Sequence, residues 1–345
     1  MKRYIITLVS VLIVLSAITF FSNFARPAYA QEPGPYYKVE PSTVQLGPES
    51  AINDTFTVSI KLYNVTETNV PAGVSGVEVH FTWNDSLVQP VNFTNMISQS
   101  GGVLNPTILY GINPGFYNAT PPNHYAVPPE EAKYYLVSAA STGNPWWGNG
   151  TIAQITFKVL YKPTLSEGAI KANFTLVFTD LVDANGAPVD HRREDALYKI
   201  LPSPGVFDVI WESTTYKVII ESDSIVSAPD NLALNVTSKT ISFNVTTADG
   251  YCNVTIPKTL MKSDTLEEWN VTLNGQVTTN AVLTENATHT FIYIPLEQNA
   301  TVAITLQSTW IVPEFSSTTL MLALFILSMP TLLMAKKLRH KKEIY

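Results

Sequence analysis

The chain has 345 residues, 14% of them charged and 46% hydrophobic, with a formal net charge of -7 and one cysteine. That length allows two ordinary domains behind a leader, each able to bury its own core, and a single Cys excludes an intramolecular disulfide. Between Gln31 and Val312, 13 Lys and Arg stand against 26 Asp and Glu, an acidic balance that repels anionic surfaces and excludes nucleic acid as a partner.

Lys2 and Arg3 precede an almost wholly apolar run from Tyr4 to Phe21, and Ala28-Tyr29-Ala30 forms a small-x-small site ahead of Gln31. These are the n-region, h-region and cleavage site of a secretory signal peptide over residues 1–30. Beyond it, period-two alternation dominates. Phe56, Val58, Ile60 and Leu62 share one parity against Thr57, Ser59 and Lys61; Val77, Val79, Phe81 and Trp83 alternate with Glu78, His80 and Thr82; Ala153, Ile155, Phe157 and Val159 alternate with Gln154, Thr156 and Lys158. Each pattern predicts a half-buried antiparallel strand. "ILPSPGVF", Ile200 to Phe207, is the best boundary. Past it, Ile241, Phe243 and Val245, then Cys252, Val254 and Ile256, take up the apolar parity. Cys252 is therefore expected to be a small buried hydrophobe. "PKTLMKSDTLEEW" allows one or two helical turns at most.

Asn-x-Ser/Thr triplets occur at Asn53, Asn64, Asn84, Asn92, Asn118, Asn149, Asn173, Asn235, Asn244, Asn253, Asn270, Asn286 and Asn299. This density is roughly threefold above chance and predicts N-glycosylation of an exported body. Asn173, Asn244, Asn253 and Asn270 fall on the polar parity of their strands, as an acceptor must.

Tests for catalytic chemistry return little. "GNGTIA" matches a dinucleotide fingerprint but runs into the strand "QITFKVL", so no helix N-terminus awaits a pyrophosphate. "LVDANGAPVD" echoes a calcium loop, yet its first and twelfth positions are Leu181 and Arg192; Asn185-Gly186 is a hairpin turn by preference. The five histidines are scattered, and Glu130-Glu131 and Glu267-Glu268 are adjacent carboxylates that point apart on a strand. No cofactor or metal is expected. The stretch with binding character is aromatic: within "ILYGINPGFYNATPPNHYAVPPEEAKYYLVSAASTGNPWWGNG", Tyr117, Tyr125, Trp146 and Trp147 are candidate ligand contacts. Trp146-Trp147 is the pair most expected to be exposed, because adjacent residues of an extended chain cannot both face one core.

Four ordered pieces carry a family resemblance: "VEPSTVQLGPESAINDTFTVSIKLYNV", "GVSGVEVHFTWNDSLV", "GNGTIAQITFKVL" and "LVDANGAPVD". Over Tyr37 to Leu201 they resemble a cohesin-type module, the jelly-roll sandwich shared with some cellulose-binding modules. The resemblance implies binding of dockerin modules, or a role in surface adhesion and scaffolding, without catalysis. The "NHYAVPPEE" insertion departs from a compact cohesin, and the chain carries no dockerin repeat, so no partner-contact residues are carried across. "KTISFNVTTADGYCNVTIPKTLM" and "ATHTFIYIPLEQNATVAITLQS" resemble a β-sandwich module that recurs just before the C-terminal anchor of archaeal surface proteins, which implies a stalk.

At the C-terminus, Phe315 to Ala335 gives about twenty residues, or about 30 Å of helix, enough to cross a bilayer. Lys336, Lys337, Arg339, Lys341 and Lys342 follow at once, which places that end in the cytoplasm. The tripeptide Pro313, Glu314 and Phe315, the apolar segment and the basic tail together resemble the PEF-CTERM sorting signal processed by archaeosortases. That resemblance implies cleavage near the motif and transfer of the new end to a lipid, by the logic of a discarded anchor signal.

The expectation is an all-β chain of two β-sandwich domains, jelly-roll or cohesin-like and then Ig-like, with an N-terminal signal peptide and a C-terminal transmembrane helix. Residues 31–202 form the first domain, 203–310 the stalk, and 311–345 the motif, helix and tail. The function expected is a glycosylated, non-catalytic binding, adhesion or scaffold protein of the cell surface. Its partner is a surface protein or polysaccharide, and it is held to the membrane by its helix or by a lipid after an archaeosortase-type enzyme acts. The alternatives are a carbohydrate-binding module using the aromatic loop and a passive surface-layer component.

Overall fold

The computed structural model describes residues 34–104, 108–110, 114–118, 126–142, 145–227, 232–311 and 326, the side chains at 108–110, 247–249 and 298–299 excepted. The signal-cleavage residues Ala28, Ala30 and Gln31, the tripeptide Pro313, Glu314 and Phe315, and Tyr125 lie outside the described residues. Among the described residues no helix is long and apolar enough to cross a membrane.

The fold is all-β. The first unit is built from β1 (Tyr36–Glu40), β2 (Thr43–Leu46), β3 (Thr55–Val65), β4 (Val74–Thr82), β5 (Val88–Asn95), β6 (Ile108–Tyr110), β7 (Gly115–Tyr117), β8 (Tyr134–Thr142), β9 (Gly148–Val159), β10 (Ile170–Asp183), β11 (Arg192–Glu194) and β12 (Ala196–Ile200). Two sheets result, one in the order β11-β1-β3-β9-β5, the other β2-β12-β10-β4-β8-β6 with β7 also on β8. The alternating residues face inward as the pattern requires: Val58, Ile60 and Leu62 of β3, Val79 and Phe81 of β4, and Ala153, Ile155, Phe157 and Val159 of β9 are fully buried. Aromatic rings fill the space between the sheets. Phe157 lies 5.0 Å from Phe174 and 5.2 Å from Trp83, and Phe174 lies 4.6 Å from Tyr198. Such ring contacts add about 0.5 to 1.5 kcal/mol each beyond their burial.

The second unit comprises β13 (Gly205–Trp211), β14 (Thr214–Ser222), β15 (Ile225–Ser227), β16 (Leu234–Asn235), β17 (Thr240–Pro257), β18 (Met261–Lys262), β19 (Asn270–Leu273), β20 (Gln276–Val277), β21 (Val282–Glu285), β22 (His289–Gln307) and β23 (Trp310–Ile311). Where an Ig-like pair of sheets is expected, hydrogen bonding is continuous through a nine-stranded sheet. The cause is the length of β17 and β22. The first half of β17 pairs with β15 and β16, its second half with β14, and β22 follows it throughout. A register shift between Ala248 and Gly250 divides the halves. Across it the buried set on β17 changes from Ile241, Phe243 and Val245 to Cys252, Val254 and Ile256, all within one core. The bulge therefore explains why the apolar parity of the sequence slips between Val245 and Cys252. Cys252 is fully buried, and burial pushes its thiol well above the ordinary range.

The two units meet around Asp223. Its side chain, 7% exposed, accepts a 2.7 Å bond from Lys199 Nζ of β12. Its other oxygen accepts the Tyr251 N–H at 2.8 Å, just past the bulge. Its backbone carbonyl accepts the Ala169 N–H at 2.9 Å, and the Val226 N–H reaches the carbonyl of Leu165. Leu165, from the connection between β9 and β10, is buried in the core of the second unit. Gly250 makes the approach possible, since a Cβ there would stand 2.2 Å from Asp223 Oδ1.

Removing one partner of a buried ion pair strands the other, so Asp223→Ala should destabilise the fold by about 3 to 5 kcal/mol. Because the two side chains share an ion pair, the double variant Lys199→Ala/Asp223→Ala should cost clearly less than the sum of the single changes. Urea unfolding followed by tryptophan fluorescence measures both quantities; additive costs would mean that the pair is uncoupled.

Candidate functional site

The outer face of the second sheet of the first unit carries the residues best placed to bind. Cross-strand register sets them in rows. Tyr117 of β7 stands beside Tyr134 of β8, which pairs with Thr82 of β4. In the next row Leu136, His80 and Phe178 cross β8, β4 and β10, and in the next stand Ser138, Glu78 and Asp180. The rings form a band: Tyr117 and Tyr134 stack at 5.6 Å, His80 lies 6.0 Å from Tyr134, and Phe178 lies 4.9 Å from His80. His80 Nε2 and Glu78 Oε1 are 2.8 Å apart, which fixes the imidazole against the sheet. At the β10 end the band opens to solvent, with Val177 50% and Phe178 45% exposed.

Alternation alone would turn Phe178 inward, on the parity of Phe174 and Leu176. A register shift between Leu176 and Phe178 turns it outward. The densest charge cluster of the sequence holds that irregularity: Asp195 Oδ1 accepts the Leu176 N–H at 2.9 Å, and Arg193 Nη1 donates to the carbonyls of Leu176 and Val177 at 2.9 and 2.8 Å. Arg193 belongs to β11, which pairs in parallel with β1 at the edge of the opposite sheet, so the clamp reaches from one sheet to the other. Its neighbour Arg192 lies over the Tyr36 ring at 4.6 Å. A bulge fixed in this way presents two apolar side chains on rigid backbone. Covering the exposed half of such a side chain is worth about 1 kcal/mol.

The tryptophan pair expected at the surface is not there. Trp146 is 8% exposed and joins the first core, because its backbone bridges Val74 in both directions. Trp147 is half-buried, packs against the same core and donates its indole N–H to the Val70 carbonyl at 2.9 Å. Gly73, at φ +69°, leaves room for it; a Cβ there would stand 2.9 Å from the indole. Tyr117 is also buried, beneath the stack with Tyr134, and burial pushes its phenol up. Tyr117 and Trp146 are thus used as packing, while Phe178 and His80, neither of them among the residues expected to bind, define the band. The run Leu176-Val177-Phe178, three apolar residues breaking alternation, was the signal for it.

Most sequon asparagines with described side chains are exposed, among them Asn92 of β5, Asn149 of β9 and Asn173 of β10. Asn64 is different: its Nδ2 is enclosed, and its backbone N–H donates to Asn149 Oδ1 at 2.7 Å. No sequon lies on β4, on β8 or on Leu176 to Asp183 of β10, and Asn84 and Asn118 sit at the rim of that face.

Two hollows add little chemistry. One of about 510 Å³ in the second unit is lined by Asn274, Gln276, Thr278 and Asn280 with the single carboxylate Glu297. One of about 390 Å³ in the first is lined by Trp83, Asp85, Glu130 and Lys133. Asp85 and Lys133 are paired with each other. Among the described residues no three His, Cys, Asp or Glu side chains are placed to hold a metal ion. The calcium-like Asp183 spends its carboxylate on the N–H groups of Asn185 and Ala187 in the turn.

No family model matches the sequence, and no curated protein matches it. Among solved structures the chain is similar to a non-cellulosomal cohesin from the hyperthermophilic archaeon Archaeoglobus fulgidus, at 12% identity and TM-score 0.33, over 49% of this chain and 91% of that one. It is similar to a type I cohesin–dockerin complex from Clostridium thermocellum at 11% identity and TM-score 0.34, over 49% and 94% of the two chains. A cohesin module of a Clostridium perfringens family 33 glycoside hydrolase gives 12% identity and TM-score 0.31, over 50% and 98%.

Proposed function

We propose that this chain is an exported, glycosylated and non-catalytic binding protein of the cell surface, and that the outer face of β10, β4 and β8 docks a protein partner. The observation that carries this reading is the exposed Val177 and Phe178 beside His80, held by the Arg193 and Asp195 clamp. Rigid, partly exposed aromatic side chains are the usual anchors of protein interfaces. No sequon lies on β4, on β8 or on the Leu176 to Asp183 stretch of β10 around the exposed pair, which supports the same reading, since a glycan there would block an interface; Asn173 lies further along β10. Glu78 and Asp180 beside the apolar residues, on an acidic body, favour a partner that offers an apolar side chain flanked by basic ones. The second unit serves as the stalk, joined to the first through Asp223. The C-terminal segment, sorted by an archaeosortase-type enzyme or kept as a span, anchors the protein to the membrane.

The rival carbohydrate-binding reading uses the aromatic loop with Tyr117, Tyr125, Trp146 and Trp147; the burial of Tyr117 and Trp146 and the half-burial of Trp147 favour the protein-partner reading over it. A photo-crosslinking amino acid placed at Val177 in the native cell should trap a defined protein, whereas the same group at Asn92 on the opposite sheet should not. Saturable binding to a glycan array, lost on Phe178→Ala, would decide for carbohydrate instead. With the trapped partner in hand, Phe178→Glu should weaken binding by about thirtyfold or more. Arg193→Ala should weaken it less and leave the chain folded, because it loosens the bulge without removing the anchor. Intact mass measurement of the extracted protein should show loss of residues 1–30 and of the basic tail; a chain ending at an unmodified Tyr345 would overturn the sorting step.

A further inference from the structure

One sequon lies among aromatic residues. Asn253 of β17 faces outward, between the fully buried Cys252 and Val254, and is followed by Thr255. Tyr251, two residues earlier, shares its face. Across the ladder its partner on β22 is Tyr293, and on β14 it is Glu221. The rings of Tyr251 and Tyr293 stack with centroids 5.7 Å apart and planes 21° apart. Tyr293 is 43% exposed, while Ile292 and Ile294 beside it are fully buried. Asn244 provides the contrast: Ser242 and Thr246 flank it on β17, and its cross-strand partners are Ala303 and Ser227. No ring stands next to that acceptor.

We propose that Asn253 carries an N-linked glycan whose first sugar rests on the Tyr251 and Tyr293 rings. The apolar C–H face of a pyranose packs against an aromatic face as other apolar groups do, and directly opposed residues of an antiparallel pair have Cβ atoms about 4.5 to 5.5 Å apart, so a sugar on Asn253 Nδ2 starts within reach of both rings. Glu221 offers its hydroxyls an acceptor. The donor is a lipid-linked glycosyl phosphate or diphosphate. The bond from Nδ2 to the anomeric carbon forms as that carbon's bond to the phosphate oxygen breaks, the electron pair leaves on the phosphate, and Nδ2 gives up one proton. The glycan then covers an aromatic pair of which Tyr293 is exposed and Tyr251 partly so, and it stabilises the fold as well as decorating it.

This inference rests on the exported, glycosylated part of the proposed function and not on the partner-binding face. The test uses the full chain, made in its own cells, with glycopeptide mass spectrometry and thermal unfolding. The Asn253 peptide should be glycosylated, and Thr255→Ala should remove the sugar and lower the Tm by about 2 to 4 °C. In the background Tyr251→Thr/Tyr293→Thr the same Thr255→Ala change should leave the Tm unmoved, while in Tyr293→Phe it should keep its full effect. Asn244→Gln should not shift the Tm. Should the tyrosine double variant fail to fold, enzymatic release of the Asn253 glycan from the native protein should be several-fold slower than release from Asn244. Bare asparagines at every sequon would defeat the glycoprotein reading as a whole. A bare Asn253 beside an occupied Asn244 would overturn this proposal alone, as would equal release rates or a Tm indifferent to the Asn253 glycan.

Discussion

Asp223 is the point at which the structure is tied. Its side chain is nearly enclosed, and a carboxylate in that position is tolerable only if its oxygens are satisfied. One takes the Lys199 ammonium from the first unit, the other the Tyr251 N–H at the bend of β17, with the Ser224 hydroxyl at 3.2 Å. The same residue's carbonyl takes the Ala169 N–H. A single acidic residue thus holds the strand just past the register shift of β17 and the contact with the first unit. Leu165, which leaves the chain of the first unit to enter the second core, adds an apolar contact beside the polar one. The junction thus combines a buried charge pair, which specifies geometry more than it stabilises, with burial, which supplies the favourable energy.

Two of the register shifts in the sheets re-aim side chains. The shift near Ala248 and Gly250 lets an 18-residue strand line one core with both of its halves. The shift between Leu176 and Phe178 turns a residue of core parity outward. Each is held by a carboxylate that accepts a backbone N–H the ladder leaves free, Asp223 for Tyr251 and Asp195 for Leu176. Bulges of this kind re-aim side chains at the cost of ladder hydrogen bonds, and the carboxylates return part of what is lost.

The surface chemistry divides accordingly. On the first unit, the face with exposed Phe178 bears no acceptor asparagine along β4 and β8, while Asn92 and Asn149 lie on strands of the other sheet. On the second unit, Asn253 lies within an aromatic pair. In the proposed reading a sugar uses Tyr251 and Tyr293 of the second unit and a protein partner uses the bulge of the first.

Alternation by itself determined the strands, because a period of two matches the pleat wherever a strand has one wet face. It placed Ile60, Phe81, Phe157 and Val254 in cores, and it placed Cys252 among them as a hydrophobe. It also turned Asn173, Asn244 and Asn253 outward. A one-residue slip shows in the sequence only as broken alternation, at Leu176-Val177-Phe178 and between Val245 and Cys252, and alternation does not say where the bulge sits or which face follows it. The outward turn of Phe178 and the burial of Trp146 behind its bridge to Val74 were decided by tertiary contacts. Arg193 and Asp195, read along the chain, are a mixed-charge cluster of the kind that usually lies in solvent. Only the return of β11 beside β1, which brings them to the bulge of β10, makes them its clamp. Lys199, on β12, and Asp223, between β14 and β15, are 24 residues apart in different units, and nothing local pairs them. Their contact follows from how two cores pack, which is a property of the folded chain.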